Sequence, residues 1–399
     1  YSLIVVMPPL RKKAAPNGWV MEYYIGKDYS LGGITLLCRF DGQRVTMASQ
    51  MSEADETVSS LYSVKSEQAT MLSFDTYNYL VHYFGQPQGS MSDDPNGTLG
   101  GDYEFIISSA SAERIELKGK KYGNRIVMKA LTEDQTWKQY LTKIKKVEDD
   151  AFFYEYDLLM DGLYTGQMIR SNYTFIVTYY DEIGKVHQKT VPFMFTADGL
   201  RFHEPVTIDG QTMQNFVWKN ELISFVCTDE GATGVKLAGV YTAGYQSYDY
   251  YPGTYQMDFY RLNDETGQLE VASQEVRLLK NEDGKSYWLK GLEYDILVMY
   301  DKPRGGLSVS PQLLEKVQGG YVYLAMWDVM NDYVLRNKSI GLISYATTNG
   351  IYLVDNGVWM GEVSGFIFGV YNSQEEDAAF IGYTDAVASI RLVKKTIEE

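Results

Sequence analysis

Short runs of alternating apolar and polar residues follow one another along most of the chain. In residues 115–118, for example, isoleucine and leucine alternate with glutamate and lysine, as in a strand with one buried face and one wet face. Nine Asn-Gly or Asp-Gly dipeptides separate or flank such runs. This dipeptide favours the tight turn of a β-hairpin, because both of its residues tolerate a positive φ. The pattern predicts a chain that is mainly antiparallel β.

The first section predicts an eight-stranded barrel. Most of its strand candidates are joined by short turns, such as the one at Asp41 and Gly42, and an up-and-down meander of this kind removes its exposed edges by closing. We therefore expect a lipocalin-like barrel. The candidate strands are Val20–Ile25, Ile34–Phe40, Val45–Gln50, Ser60–Ser66, Met71–Thr76, Tyr103–Ser108, Arg114–Lys121 and Arg125–Leu131.

One helix is predicted after this barrel, from Thr132 to about Glu148 (residues 132–148). Thr132 and Gln135 have the spacing of a capping box, and the apolar residues that follow recur on one helical face. The barrel and its helix make up a first domain, residues 1–150.

Two further β sections follow the helix. In residues 151–234, a strand at Tyr173–Tyr180 is followed across a short turn by a second strand at Lys185–Phe195, which together predict a hairpin. This section either completes a barrel or joins a neighbouring domain. The polar, glycine-rich segment at 229–234 marks a second boundary. Residues 235–399 contain enough strand candidates for another β-domain. We expect one or two further β-barrel or β-sandwich domains.

Composition narrows the class of protein. A chain of 399 residues with 45% hydrophobic residues is globular and long enough for two or three domains of roughly 100–200 residues. The net charge of −16 argues against nucleic acid as a partner, because such binding relies on cationic neutralisation of phosphates. No apolar run approaches the roughly 20 residues of a membrane-spanning helix. The two cysteines, Cys38 and Cys227, are most simply read as buried free thiols.

Several fragments together resemble a known family. They lie at residues 17–24, 72–78, 100–105 and 117–121, and they are similar to the Bacteroidetes surface-lipoprotein family catalogued as domain of unknown function 4302, over about residues 15–225. The resemblance implies a lipid anchor on a cysteine upstream of Tyr1, which would be the protein's only link to the membrane. It also implies an outer-membrane location in the cell envelope, on the periplasmic or the exterior side.

The same resemblance implies a functional context but no mechanism. Members of such families commonly sit beside nutrient-uptake proteins of the outer membrane, so the implied partners are those proteins and a glycan or peptide ligand. The family has no assigned activity or catalytic residues. Trp19 and Asp102 look like parts of its pattern, although a barrel-floor tryptophan and a strand-initiating aspartate account for them structurally.

Motifs for catalysis, cofactors or metals are few. The chain has three histidines, His82, His187 and His203, without the HExxH spacing of a zinc protease, and it has no phosphate-binding or dinucleotide-binding glycine motif. We expect no cofactor and no catalytic residue. Residues 92–97 resemble the first half of a calcium loop, but the twelfth position is a tyrosine where such a loop has glutamate. A metal site is therefore not expected, and the remaining calcium candidates are Asp93, Asp94 and Asn96.

The tyrosine-rich segment 241–255 suggests a ligand-binding surface. Exposed aromatic rings with amides and carboxylates between them suit sugar faces or peptide side chains. The alternative is an ordered loop that packs its rings against a neighbouring domain. The candidate ligand-binding residues are Tyr245, Tyr248, Tyr250 and Tyr251.

These observations favour a non-enzymatic surface lipoprotein ectodomain, acting as a binding or accessory component in the capture of a nutrient glycan or peptide. A hydrolase or hydrolase-associated module is an alternative, with carboxylates that meet in an inter-domain cleft. A purely structural interaction protein is the third possibility, favoured if the rings of segment 241–255 are buried.

Overall fold

The fold is mainly β and antiparallel, as the sequence predicted. The computed structural model describes residues 15–66, 69–86, 98–132 and 134–395, and it divides the chain into two compact units, one ending at Val240 and the other beginning at Tyr241. The N-terminal unit contains two closed eight-stranded barrels, barrel 1 and barrel 2. The C-terminal unit contains a third ring of eight strands, barrel 3, with a lateral sheet attached to it.

Barrel 1 has the eight strands and the order that the sequence predicted. They are β1 (Trp19–Ile25), β2 (Gly32–Asp41), β3 (Arg44–Ser49), β4 (Val58–Ser66), β5 (Thr70–Phe74), β6 (Glu104–Ala110), β7 (Arg114–Gly119) and β8 (Arg125–Ala130). Each strand pairs with the next, and β8 pairs with β1 to close the barrel. Closure leaves no strand with an unpaired edge.

Large side chains fill the interior of barrel 1. Trp19, Tyr23, Phe74 and Phe105 are each at most 1% exposed, and the rings of Tyr23 and Phe105 meet edge to face at 5.8 Å. An eight-stranded barrel is just wide enough either for such a packed core or for one small ligand. Barrel 1 uses its interior as a packed core.

In the part of the chain that the structure describes, two α-helices accompany barrel 1. α1 (Tyr79–His82) is a single turn, and α2 (Trp137–Asp150) is the predicted amphipathic helix, with Leu141, Ile144 and Val147 buried. α2 begins later than predicted, because the capping box is formed by Thr136 and Gln139. The earlier candidate, Thr132, has its carbonyl oxygen bound by the Asn17 side chain at 2.8 Å, so this stretch packs on barrel 1 before the helix begins.

Barrel 2 follows the helix. Its strands are β9 (Glu155–Met160), β10 (Leu163–Ser171), β11 (Thr174–Tyr180), β12 (Val186–Phe195), β13 (Gly199–Ile208), β14 (Gln211–Lys219), β15 (Ser224–Cys227) and β16 (Val235–Val240). The domain boundary expected after residue 234 falls inside this barrel, because β16 pairs with β9 and completes the ring. The glycine-rich segment 229–234 is the turn between β15 and β16.

Barrels 1 and 2 pack together within the N-terminal unit. The contact requires glycine at position 32, since a Cβ on Gly32 would lie 1.9 Å from the carbonyl oxygen of Tyr173. Beside this contact, Arg201 of barrel 2 forms an ion pair with Glu22 of barrel 1 at 2.6 Å. The close backbone approach and the ion pair fix the register of the two barrels.

The C-terminal unit begins with eight strands that form barrel 3. In their spatial order they are β17 (Gly253–Leu262), β18 (Leu269–Lys280), β19 (Ser286–Lys290), β20 (Ile296–Asp301), β21 (Gly306–Val309), β25 (Leu342–Thr347), β26 (Gly350–Asp355) and β28 (Phe380–Lys394). The ring closes because residues 387–394 of β28 pair with β17.

The lateral sheet grows from the first half of the same long strand. Residues 380–388 of β28 pair with β27 (Gly365–Tyr371), and β27 pairs with β23 (Gly320–Asp328). Because β27 occupies one edge of β23, the strands β22 (Gln312–Val317) and β24 (Tyr333–Leu335) share its other edge. The chain therefore leaves barrel 3 after β21 and returns to it at β25.

No helix among the described residues is both long enough and apolar enough to cross a membrane.

Candidate functional site

The structure places the tyrosine-rich segment at one end of barrel 3, where β17 and β19 begin and β20 ends. Tyr251 is 1% exposed, and its hydroxyl donates to the carbonyl oxygen of Gly305 at 2.9 Å. The ring of Tyr248 stacks on that of Tyr287, with centroids 4.6 Å apart, and the hydroxyl of Tyr287 donates to the Tyr248 carbonyl at 2.7 Å. Burial raises the pKa of both Tyr248 and Tyr251. These two rings close the end of their own barrel.

The other two candidates of this segment are more accessible. Tyr245 is half-buried and accepts a hydrogen bond from the Tyr300 hydroxyl at 3.2 Å. Tyr250 is 39% exposed, and the ammonium group of Lys394 lies 5.3 Å from its ring centroid. Of the four predicted ligand-binding residues, Tyr250 alone has an exposed ring. The four candidate rings therefore do not form one exposed aromatic surface.

The three histidines occupy separate structural sites. His82 stacks on Tyr103, with ring centroids 4.8 Å apart, and His187 bonds Asp181 at 2.8 Å. His203 contacts the ring of Tyr24, and burial lowers its pKa. Among the described residues, no group of three or more histidine, cysteine or acidic side chains is arranged to hold a metal ion. The calcium candidates Asp93, Asp94 and Asn96 lie outside the described residues.

Asp102 and Trp19, which carried part of the family resemblance, have structural roles. The Asp102 carboxylate is buried and accepts hydrogen bonds from the backbone N–H groups of Lys121, Tyr122 and Asn124, at 2.8–3.2 Å. A carboxylate with this many donors organises the turn between β7 and β8. Trp19 is 1% exposed in the core of barrel 1.

A cleft that the sequence did not predict lies where the chain leaves barrel 3 for the lateral sheet. Its volume is about 880 Å³, within the range of roughly 300–1,000 Å³ that is usual for ligand sites. Strands β20, β22 and β23 and the loops after β24 and β27 contribute to it. The lining residues are Leu297, Met299, Ser310, Pro311, Gln312, Leu313, Tyr323, Arg336, Asn337, Lys338, Gln374 and Glu376.

The cleft exists because β21 is short. It pairs only with residues 299–301 of β20, so the backbone groups of Leu297 have no partner on β21. The side chain of Gln312 takes that place, since its oxygen accepts from the Leu297 N–H at 2.8 Å and its nitrogen donates to the Leu297 carbonyl at 2.9 Å. The side-chain amide thus satisfies the backbone hydrogen-bonding groups of Leu297 at the edge of β20. It also holds the chain against β20 at the point where the chain leaves barrel 3.

Arg336 fixes the opposite wall of the cleft. Its guanidinium carbon lies 4.8 Å from the ring centroid of Tyr323 and 4.2 Å from that of Tyr371. The same guanidinium donates to the carbonyl oxygens of Glu375 and Glu376, the second at 3.2 Å. Arg336 therefore ties the loop after β27 to the lateral sheet, and Gln374 and Glu376 on that loop border the cleft.

The cleft combines an apolar floor with a polar rim. Met299 and Leu313 are 43% and 45% exposed, so their apolar surface is available to a ligand. The rim carries the amides of Asn337 and Gln374 and the cation of Lys338, whereas Glu376 is the one carboxylate in the lining. Apolar area with a few placed polar groups is typical of ligand sites.

One sequence signal pointed toward this cleft. Residues 296–299 are four apolar residues in succession, where a strand with one wet face would alternate. In the structure Ile296 and Val298 face the core, while Leu297 and Met299 face the cleft. The remaining lining residues come from distant segments, and no local pattern links them.

Comparison with known proteins places the chain among uncharacterised families. No curated protein matches it. The solved structure titled "The Structure of Intact Ap-TbpB (N and C lobes)" is 10% identical and aligns over 95% of this chain and 76% of that chain, with a TM-score of 0.13, which is too low to support an argument. Residues 228–368 match DUF4987, a domain of unknown function. Residues 13–220, more than half of the chain, match the domain of unknown function DUF4302, and the protein belongs to that family.

Proposed function

We propose that this protein is a non-enzymatic binding module that captures a glycan or peptide segment in the cleft of its C-terminal unit. The observation that carries the proposal is the combination of an exposed apolar floor, Met299 and Leu313, with an amide-bearing rim in a cleft of about 880 Å³. Sugar faces and peptide side chains both offer apolar patches beside hydrogen-bonding groups, so both ligand classes suit such a surface.

The composition of the lining supports binding over hydrolysis. A glycosidase needs two carboxyl groups on either side of the scissile bond, roughly 5–9.5 Å apart. Among the residues that line the cleft, Glu376 is the one that carries a carboxyl group. The hydrolase alternative would therefore need a second acid from outside this lining.

The structural alternative draws its support from the tyrosine-rich segment. Tyr248 and Tyr251 pack into the end of barrel 3, so this segment stabilises its own barrel. That role accounts for segment 241–255 but leaves the cleft unexplained. We therefore assign ligand capture to the cleft. Ligand binding by the four tyrosines, of which Tyr250 is the most accessible, stays a secondary prediction.

Arrays of glycans and of peptides, probed with the full chain, test the proposal. We expect specific binding that weakens when the apolar floor is removed in the double variant Met299→Ala/Leu313→Ala. Each truncation removes about 1–1.5 kcal/mol of apolar contact, counting about 0.8 kcal/mol per buried CH₂ and partial burial, which corresponds to about tenfold in Kd per residue.

A matched control comes from barrel 2. Ile169 and Ile176 face each other on β10 and β11 and are 38% and 39% exposed, so Ile169→Ala/Ile176→Ala removes similar apolar surface away from the cleft. Binding should survive in this control. No binding to either array, or equal binding by both double variants, would contradict capture in the cleft. Release of new reducing ends or of peptide fragments would favour the hydrolase.

The resemblance to a surface-lipoprotein family supports a proposal about location. We propose that the full-length gene product is an outer-membrane lipoprotein of the cell envelope and that it works beside nutrient-uptake proteins. Labelling the protein with a clickable fatty acid in its host, followed by membrane fractionation, tests the anchor. A full-length protein that carries no label and remains outside the membrane fraction would contradict it.

A further inference from the structure

Two neighbouring loops of the C-terminal unit expose an unusual amount of apolar surface. Met330 follows β23 and is 86% exposed, and Met360 lies between β26 and β27 and is 93% exposed. Close by, Tyr333 at the start of β24 is 55% exposed, and its ring meets that of Trp359, which precedes Met360, edge to face at 5.6 Å. We call Met330, Tyr333, Trp359 and Met360 the apolar tip. Scattered exposed apolar residues are ordinary, whereas a cluster of this kind marks an interaction site.

One buried carboxylate holds the two loops together. Asp328 is fully buried at the end of β23, and it accepts from the Asn331 N–H at 3.1 Å and from the Asn331 side-chain amide at 2.9 Å. The other loop donates to the same carboxylate through the Trp359 indole N–H at 3.0 Å. The hydrogen bonds from Asn331, together with that from Trp359, lower the pKa of Asp328, so the group stays charged at neutral pH.

The second loop is also shaped for this contact. A Cβ at Gly361 would lie 2.1 Å from an oxygen of the Asp328 carboxylate, so only glycine fits beside it. Asp355 binds the backbone N–H of Gly357 and of Val363, which fixes the loop on both sides of Met360. The exposed methionines therefore stand on a rigid base. Such a base reduces the entropy lost on binding.

We propose that the apolar tip is a docking surface for a partner protein whose apolar pocket is bordered by lysine or arginine. The charge around the tip selects this partner, since Asp332 and Glu362 are exposed next to it in the two loops and the chain carries a net charge of −16. A second copy of the chain, or an anionic lipid surface, would bring like charges together. Methionine side chains adapt to pockets of different shapes, which suits a protein partner.

This surface is separate from ligand capture, because it shares no residue with the lining of the cleft. A component that holds a nutrient with one surface can thereby contact a second protein with another.

Two synthetic peptides probe the tip on the full chain. Both have the same apolar core of leucine and phenylalanine; one is flanked by lysines and the other by glutamates. We expect the lysine-flanked peptide to bind at least about tenfold more tightly, with a difference that shrinks at high salt because exposed charges are screened. Equal binding of the two peptides, or no binding of either, would overturn the proposal.

Variants locate the binding site and separate the apolar contribution to binding from the contribution of charge. Met330→Ser/Met360→Ser should weaken binding at least about fivefold, while the control Ile183→Ser/Val271→Ser should not, although those residues are similarly exposed at 87% and 80%. Asp332→Asn/Glu362→Gln should remove the preference for lysine flanks and keep the binding to the apolar core. Equal loss in the control pair would refute the assignment to the tip.

Two further measurements decide between occupants. Flotation with vesicles of phosphatidylcholine and anionic phosphatidylglycerol tests a lipid surface, and sedimentation velocity tests a second copy of the chain. We expect neither binding to vesicles nor dimerisation. Either of them, if lost in Met330→Ser/Met360→Ser and kept in Ile183→Ser/Val271→Ser, would replace the proposed protein partner by that occupant.

Discussion

Two adjacent tyrosines offer a sharp test of how barrel 3 is closed. Tyr251 is 1% exposed within the core, and its neighbour Tyr250 is 39% exposed with its ring under Lys394. If segment 241–255 closes the end of barrel 3, truncating Tyr251 must cost far more stability than truncating Tyr250. If it is a binding surface with little structural role, both changes should cost little.

The magnitudes follow from the contacts. Tyr251→Ala leaves a cavity and should cost about 3–5 kcal/mol for the ring, with about 1 kcal/mol more for the hydrogen bond to the Gly305 carbonyl. Tyr251→Phe removes that hydrogen bond alone and should cost about 1–2 kcal/mol. Tyr250→Ala forfeits the contact with Lys394, worth about 0.5–1 kcal/mol at an exposed site, and the edge-to-face contact with the Tyr251 ring, worth about 0.5–1.5 kcal/mol.

Hydrogen exchange measured by mass spectrometry gives the result region by region. Amides of β19 and β20 report on barrel 3, and amides of β9 to β16 in the same sample serve as the reference. We expect the free energy of opening in β19 and β20 to fall by about 2–4 kcal/mol more in Tyr251→Ala than in Tyr250→Ala. A difference below about 1 kcal/mol would refute the account of a closed barrel end.

Further predictions concern the N-terminal unit. Asp102→Ala should destabilise barrel 1 by about 2–4 kcal/mol in urea unfolding, because it leaves several backbone N–H groups without their acceptor; an unchanged midpoint would contradict this role. Burial alone would raise the pKa of Glu22, but its bonds to Arg201 and Lys129 outweigh that effect and lower it. Since the folded pKa lies below the unfolded one, this stabilisation is present above about pH 4.5 and is lost as the pH falls through the folded value; the acid dependence of unfolding should therefore be weaker in Glu22→Gln. Cys38 and Cys227 are buried thiols, and burial raises the pKa of Cys227 to about 11, so neither should react with a thiol reagent at pH 8 until the chain is unfolded. Rapid labelling of the native protein would disprove that burial.

The start of the helix shows how far local rules reach. The sequence contains two capping-box candidates four residues apart, Thr132 with Gln135 and Thr136 with Gln139, and local preferences do not choose between them. The choice comes from barrel 1, because Asn17 binds the carbonyl of Thr132 and accepts the Trp137 indole N–H on its own carbonyl at 2.7 Å. Both contacts span more than 100 residues.

The candidate site depended even more on distant contacts. The tyrosine pattern located a segment with aromatic rings, but alternation cannot tell a ring that enters its own barrel from one that faces solvent. The cleft was missed because its lining comes from segments between Leu297 and Glu376 that meet only when the lateral sheet forms. Within the sequence, only the apolar run at 296–299 indicated that the outer face of β20 is not simply a wet face.

The sequence alone determined the class of structure, because the alternation of apolar and polar residues and the hairpin turns define the strands. In barrel 1 each strand pairs with the next along the chain, so these local signals were enough to predict a closed meander. The tertiary structure decided which strands close each barrel. Val235–Val240 belongs to barrel 2 because it pairs with β9, some 80 residues earlier, and β28 belongs to both barrel 3 and the lateral sheet. The physical reason is that strand pairing uses backbone groups common to every residue, so the partner of a distant strand is set by packing and geometry rather than by its local sequence.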